Sequence, residues 1–338
     1  MNPKVSILVP VYNVSPFIER CAASLFNQTL EDIEYIFVND ATPDDSIEKL
    51  QKVIDNYPER KDSIKIIHHS SNLGLAESRN SALESSSGSY IAVVDSDDFI
   101  EPDMMEVLYN KAMFEKADIV VCDIIIEFQT RSRIAVDYIS GNKEENFKNV
   151  IKHDLISSSL CNKLVKRNLY LQEDCRVPEN LNYCEDWHVT TRIFYFATNI
   201  VKVDQPFYHY VQSNTNAITK TINRMHFENV LRFWKLLDAF LLEHNLYDKY
   251  KPIMALPKTQ SKVHLLIDTH SSQLRKEFAG MFLEEEKQCI YQFTKGERLM
   301  LYLVRYRLFF LTQLFHNYLV LKNALKRKLS MLPFKDGV

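Results

Sequence analysis

Residues 90–98 read Tyr90-Ile91-Ala92-Val93-Val94-Asp95-Ser96-Asp97-Asp98, an apolar run that passes directly into three carboxylates. Ile91, Val93 and Val94 suit a buried strand. Carboxylates this close repel one another, and a divalent cation, a cationic side chain or bulk water must offset that repulsion. Oxygen-only ligands suit a hard ion, Mg²⁺ or Mn²⁺. In open α/β sheets ligands gather beyond the carboxyl ends of the strands, so a metal here could grip the phosphates of a nucleotide. A solvated acidic turn is the plainer alternative, but an apolar strand normally ends in one turn-forming acid rather than three.

Outward from this stretch, Val5–Val9, Tyr35–Val38, Ile64–His68 and Ile119–Ile126 are also strand-like. Between them apolar residues recur at three and four residue spacing: Phe17, Ile18, Cys21, Ala22 and Leu25; Ile47, Leu50, Val53, Ile54 and Tyr57; Met104, Met105, Leu108 and Ala112. Thr42-Pro43-Asp44-Asp45 and Glu101-Pro102-Asp103 supply helix starts. This βαβ rhythm predicts an α/β three-layer, Rossmann-like sandwich with a mainly parallel sheet and right-handed crossovers. After Gly141 the strand signal fades, and 147–156 and 162–171 read as short helices. From Arg224 the pattern is helical, broken near Pro252, Pro257 and Gly296. The expected domains are therefore 1–220, with a nucleotide half at about 1–125 and an acceptor half at about 126–220, and a helical region 221–338.

Of the 338 residues, 46% are hydrophobic and 25% charged, enough for a sizeable core in one large domain and a smaller one. The net charge of −3 hides a basic C-terminus, where Lys295, Arg298, Arg305, Arg307, Lys322, Lys326, Arg327 and Lys328 face Glu297 alone across 295–328. Six dispersed cysteines without a C-x-x-C pair, and an N-terminus that leads straight into a strand, fit a reducing cytoplasm. Six glycines, the first at Gly74, exclude a G-x-G-x-x-G fingerprint and a P-loop, so phosphate binding would fall to metal rather than to a Gly-rich turn.

Other candidates lie at strand ends. In Pro10-Val11-Tyr12-Asn13, Pro10 and Asn13 are ordinary turn residues, while Tyr12 could offer a face for a base to stack on. Asp40 could accept from the N3–H of uracil or thymine; Thr42, Asp44 and Asp45 read as helix capping. Arg79, in Asn72–Asn80, reads locally as a surface charge. Glu185-Asp186, beside Tyr183 and Trp187, could hold a general base with a raised pKa or simply two acids at a helix start. Cys184 and His188 lack the second pair that a zinc site needs.

In order, Pro10-Val-Tyr-Asn13, Val38-Asn-Asp40, Asn72-x-Gly74 with Arg79-Asn80, Asp95-x-Asp97 and Glu185-Asp186 resemble the family 2 glycosyltransferases of the GT-A fold. The resemblance spans residues 3–215, including Asn162-Lys163-Leu164 and Phe207–Tyr210. It implies that Pro10, Tyr12, Asp40 and Arg79 line the base of a nucleotide-sugar donor, usually UDP-linked, that Asp95 holds the ribose and that Asp97 holds Mn²⁺ or Mg²⁺. It implies Asp186 as catalytic base, supported by Glu185, in an inverting single displacement onto a glycan or lipid-linked acceptor, as in bacterial surface polysaccharide synthesis. This chain has Asp40-Ala41-Thr42 where the family often has Asp-Gly-Ser, and Ser81-Ala82 where it often has x-Gly, so two loops lose backbone freedom. A sugar-1-phosphate nucleotidyltransferase and a non-catalytic nucleotide-sugar-binding module are the alternatives; the first lacks its Gly-rich N-terminal loop here, and the second would not need Asp186.

Residues 299–321 are apolar and aromatic but are interrupted by Arg305, Arg307, Gln313, His316 and Asn317, which argues against a spanning helix. They fit an amphipathic helix packed on the catalytic domain or on another subunit of a homo-oligomer, or lying on an anionic membrane with Lys322–Lys328 beside it. Nucleic acid is not an expected partner. The expected placement is cytoplasmic, peripheral on the inner membrane face if the helices bind lipid.

Overall fold

A computed structural model describes the backbone of residues 2–171 and 175–330, and side chains as far as residue 319. Two compact units divide the chain, one ending at Ala217 and one starting at Ile218.

In the first unit the elements run β1 (Val5–Val11), α1 (Ile18–Phe26), β2 (Ile33–Asn39), α2 (Ser46–Asp55), β3 (Ile64–His68), α3 (Leu75–Ser85), β4 (Tyr90–Val93), β5 (Phe99–Ile100), α4 (Met104–Glu115), β6 (Ile119–Glu127), β7 (Ser132–Ala135), α5 (Lys143–Lys152), β8 (Lys163–Lys166), α6 (Arg167–Leu171), α7 (Glu185–Phe196) and β9 (Ile200–Val211). One sheet holds all nine strands in the order β3-β2-β1-β4-β8-β6-β9-β5, with β7 beside β6.

The expected parallel sheet is found in one half only. β3, β2, β1 and β4 are mutually parallel, because the chain passes between them in sequence through the crossover helices α1, α2 and α3. Beyond β4, β8 runs antiparallel to β4 and to β6, β5 to β9 and β7 to β6, and only the β6–β9 pair is parallel. The sheet is therefore mixed. The segment 162–171, expected as a helix, opens with strand β8 at the centre of the sheet and turns helical only at Arg167. Its apolar run, Leu164-Val165, is too short to signal a strand, and Lys163 beside it is buried through hydrogen bonds. The helix expected at 147–156 is α5, which starts earlier because the Asn142 side chain accepts from Glu144 N at 2.9 Å and Glu145 N at 3.3 Å.

Side chains alternate between the two faces of the sheet. Val5, Ile7, Val9 and Val11 pack with α1, α2 and α4 in the main core. Leu8 and Val93 instead meet Leu83, Tyr170, Val177 and Val189. Behind the sheet's other edge, Glu34 accepts from the Ser6 hydroxyl at 2.5 Å and Gly88 N at 2.9 Å and from Lys65 at 3.0 Å, joining β1, β2 and β3 to the turn before β4.

The second unit is helical: α8 (Arg224–Glu243), α9 (Tyr247–Asp268), α10 (Ser272–Glu277), α11 (Leu283–Cys289), α12 (Lys295–Arg305) and α13 (Phe309–Ser330). Pro252 and Pro257 lie inside α9, which runs through both instead of breaking there. Buried Glu286 pairs with Lys262 at 2.7 Å and with Arg305 at 2.5 Å, tying α11 to α9 and α12.

A Cβ at Gly88 would stand 2.6 Å from the Ser6 backbone nitrogen, which cannot move without shifting β1. Gly88→Ala should therefore lower unfolding stability by about 1–3 kcal/mol, read from denaturant melts; an unchanged midpoint would show that β1 and β4 can part freely.

Candidate active site

The acidic turn leaves β4 at the carboxyl edge of the parallel strands, and its three carboxylates have different surroundings. Asp98 is fully buried: its Oδ2 accepts from the Tyr208 hydroxyl and its Oδ1 from Val211 N, both at 2.7 Å. Burial, and then the charges of Asp97 and Asp95, push its pKa well above the ordinary carboxylate range. The Tyr208 hydroxyl also accepts from Asp95 N at 3.1 Å, so β9 fastens both ends of the turn. Asp97 is partly exposed, and its Oδ2 accepts from the Asn214 side chain at 2.8 Å. Asp95 keeps 30% of its side chain exposed.

Arg79 draws Asp95 to the acidic pair. Projected from α3 and only 5% exposed, its guanidinium donates to Asp95 Oδ1 at 3.1 Å, to Glu185 Oε1 at 2.8 Å and to Asp186 Oδ1. The local reading of Arg79 as a surface charge is thereby corrected: its partners lie 16, 106 and 107 residues away along the chain. Although burial works against its charge, Asp186, Glu185 and Asp95 hold Arg79 more firmly protonated than usual. One guanidinium stands against three carboxylates, of which Glu185 is the most buried. Burial, opposed by Arg79 and reinforced by Asp186, pushes Glu185 up to about 7. Burial likewise raises Asp186, against Arg79 and with the help of Asp95.

Asp186 also accepts from Leu160 N at 3.3 Å. That donor belongs to a loop held by Lys163, whose fully buried ammonium donates to Ser157 O at 2.9 Å, Ser159 O at 2.6 Å and Asn162 Oδ1 at 2.7 Å. Thr190 of α7 holds the intervening Ser158 O at 2.7 Å. No assigned role pointed to Lys163; the only sequence signal was its place in Asn162-Lys163-Leu164.

Asp40 lies beyond β2, buried. Its Oδ1 accepts from Leu73 N at 2.8 Å and meets His69 Nδ1 at 2.8 Å, and its Oδ2 accepts from Gly74 N at 2.8 Å. Three of a carboxylate's roughly four acceptor sites are thus occupied. Ala41 has φ +52°, a left-handed conformation that glycine adopts without strain, which gives the Asp40-Ala41-Thr42 departure its structural meaning. Pro10 is buried within β1, whereas Tyr12 just after it is 45% exposed. Gly74, at φ +91°, places the start of α3 against Asn182, whose Oδ1 accepts from Ala76 N at 2.9 Å. The structure thus joins Arg79, Asp95, Glu185 and Asp186 in one bonded cluster, while Asp40 gathers its own partners ahead of α3.

Among the described residues, no group of three or more His, Cys, Asp or Glu side chains is arranged to hold a metal ion by itself. Hard oxygen donors are nonetheless present at Asp95 and Asp97, and Mg²⁺ commonly uses one or two carboxylates and completes its shell with substrate phosphates and water. The donor chemistry fits such an ion.

Known relatives of this mixed α/β chain are glycosyltransferases. The model "Glycosyl transferase family 2" matches residues 6–172. EpsH of Bacillus subtilis (strain 168), named as a glycosyltransferase, is 33% identical over 257 residues, covering 74% of this chain and 72% of that protein. "Uncharacterized glycosyltransferase EpsJ" of the same organism is 29% identical over 336 residues, covering 93% and 96%. Among solved structures, S. aureus TarS 1-349 in complex with UDP superposes with a TM-score of 0.63 at 18% identity, over 93% of this chain and 90% of that one. This chain is a glycosyltransferase and belongs to family 2, whose members pass a sugar from a nucleotide-linked donor to an acceptor. The nucleotidyltransferase and binding-module alternatives fall away.

Two expectations follow from this geometry. Lys163→Met should leave the Ser157 and Ser159 carbonyls without their side-chain donor and displace Leu160 N from Asp186, lowering kcat about tenfold or more while donor KM changes little; unchanged kcat would separate the loop from the site. Glu185 has a folded pKa raised from 4.5 to about 7, so its contribution to stability is complete below the lower value and lost as pH rises through the upper. The melting temperature of Glu185→Gln relative to the unaltered protein should accordingly rise between about pH 5 and about pH 8; a flat difference across that range would mean that Glu185 is ionised throughout.

Proposed function

We propose that this enzyme is an inverting transferase that takes a sugar from a nucleoside diphosphate donor, UDP-linked, to a hydroxyl of a glycan or lipid-linked acceptor, with Asp186 as base. The carrying observation is the Asp186 carboxylate, buried enough for its pKa to be raised yet with 22% of its side chain exposed, one guanidinium away from Asp95. A raised pKa makes it a better proton acceptor. As the acceptor oxygen forms its bond to the anomeric carbon, the bond from that carbon to the diphosphate oxygen breaks, and the hydroxyl proton passes to Asp186. A single displacement of this kind inverts the anomeric centre, by the logic that separates one-step from two-step glycosidic substitution.

Glu185 supports the same loop through Arg79, which fixes the direction in which Asp186 points. Asp95 is suited to the donor ribose, Asp97 to a metal, and Tyr12 and Pro10 to the base. Asp40 retains about one open acceptor site for a base N–H. Bound at Asp97, Mg²⁺ or Mn²⁺ would neutralise the charge developing on the departing diphosphate. The UDP named with TarS supports the choice of nucleotide. A cytoplasmic placement on the inner face of the membrane would suit a lipid-linked acceptor.

Asp186→Asn should keep donor binding, measured as thermal stabilisation by UDP-sugars with Mn²⁺, while transfer falls by about 10²–10⁴-fold. Full transfer by this variant would remove Asp186 as base. In the same assay Asp97→Ala should lose the metal-dependent part of the stabilisation, and no response of the unaltered enzyme to any nucleotide sugar would overturn the donor assignment.

A further inference from the structure

Helix α13 carries its polarity inside out. Its buried positions are Thr312 and His316, the histidine meeting Ile267 O at 2.9 Å and His270 Nδ1 at 3.1 Å. Beside them, Gln313 accepts from buried Arg275 at 2.8 Å. The exposed positions among the described residues are Phe310 at 76%, Leu311, Leu314 and Tyr318, with Asn317 the one polar side chain among them. Leu299 and Tyr302 of α12, Tyr306 at its C-cap, spaced three and four residues apart, and Leu308 of the link between the helices extend the exposed apolar and aromatic surface along the chain. A helix of a water-soluble fold normally turns such residues inward, and an exposed apolar surface of this extent marks a partner.

Charge identifies the partner. Across 295–328 eight Lys and Arg residues stand against Glu297, whose carboxylate is committed to capping α12 through Thr294 N and its hydroxyl, each at 2.8 Å. Lys295 and Arg307 are exposed beside the aromatics. Lys322, Lys326, Arg327 and Lys328 lie on the continuation of the α13 backbone, with side chains outside the described residues. Self-association about a two-fold axis would set this face against its own copy and bring like charges together. An anionic bilayer has the opposite charge, and tyrosines with Lys and Arg around a Leu/Phe stripe have the composition of a helix lying in a membrane interface. No helix among the described residues is long and apolar enough to cross a membrane, so the fitting geometry is contact along the surface.

We propose that the exposed face of α12 and α13 docks on an anionic lipid bilayer: Phe310, Leu311 and Leu314 enter the boundary between headgroups and acyl chains, Tyr302, Tyr306 and Tyr318 sit at headgroup level, and Lys295 and Arg307 meet lipid phosphates. Docking of this kind is independent of sugar transfer and goes beyond it. The test is co-sedimentation of the full chain with vesicles of phosphatidylglycerol and phosphatidylcholine, in comparison with phosphatidylcholine alone, without donor or acceptor, so that its failure does not bear on the reaction. Binding to the anionic vesicles should fall at least about tenfold in Phe310→Glu/Leu314→Glu, with an unchanged melting temperature and unchanged transfer to a soluble acceptor. Lys295→Glu/Arg307→Glu should weaken binding and flatten its salt dependence. Failure of the unaltered chain to bind anionic vesicles, equal binding to both vesicle types, or no effect of either double variant would overturn the proposal. So would a dimer in sedimentation velocity that dissociates in Phe310→Glu/Leu314→Glu, which would assign the face to a second copy.

Discussion

A single buried guanidinium holds the candidate active site together. Arg79 reaches from α3 to the turn after β4 and to the first residues of α7, so three segments far apart in sequence meet at one positive charge. Burying an unpaired charge costs several kcal/mol, of order 3–5 when one partner is removed. Arg79 and its carboxylates therefore require one another in the folded state. Burial raises the proton affinity of Glu185 and Asp186, with Arg79 opposing it and the neighbouring carboxylates adding to it. The guanidinium that joins the site thus works against the basicity that burial creates within it.

Around that charge, each loop at the sheet edge is braced from behind. Tyr208 and Val211 of β9 hold the acidic turn through Asp98, Lys163 and Thr190 hold the loop that presents Leu160 N, and Asp40 gathers the amides that precede α3. Side chains that would have to be ordered when a ligand arrives are already ordered by packing, which lowers the entropic cost of binding. The left-handed Ala41 belongs to this scheme: a non-glycine residue keeps a costly conformation only where its surroundings over-determine it.

Much of this was legible in the sequence, and the parts that were not have physical reasons. The parallel strands β1 to β4 and the helices α1, α2 and α4 were readable because an apolar period of two or 3.6 is imposed on every residue of an element that faces a core. The family was readable from spaced strand-end motifs. β8 escaped because a four-residue strand containing a buried lysine has almost no period, and β9 because Asp204 and Pro206 interrupt it. Arg79 looked like a surface charge because its partners lie up to 107 residues away, a distance no local pattern spans. A solvated acidic turn was the plainer reading of the three carboxylates, yet Asp98 among them is fully buried. Sequence spacing reports which residues stand at an edge; it does not report which lone pairs the fold has already used.

The contact between Gly74 and Asn182 has a consequence for divergence. A Cβ at Gly74 would lie 2.6 Å from the Asn182 amide oxygen, so the start of α3 and the approach to α7 are fitted to each other with no spare volume. An inserted residue between Asn182 and Asp186 would pull the acidic pair out of reach of Arg79. The hairpin between β6 and β7 is different, since residues 129–134 are exposed, and length can be gained there without disturbing the charge cluster. Lineages descended from such a chain can thus vary the hairpin freely while the Gly74–Asn182 junction stays fixed, which separates the part of the molecule open to innovation from the part that is not.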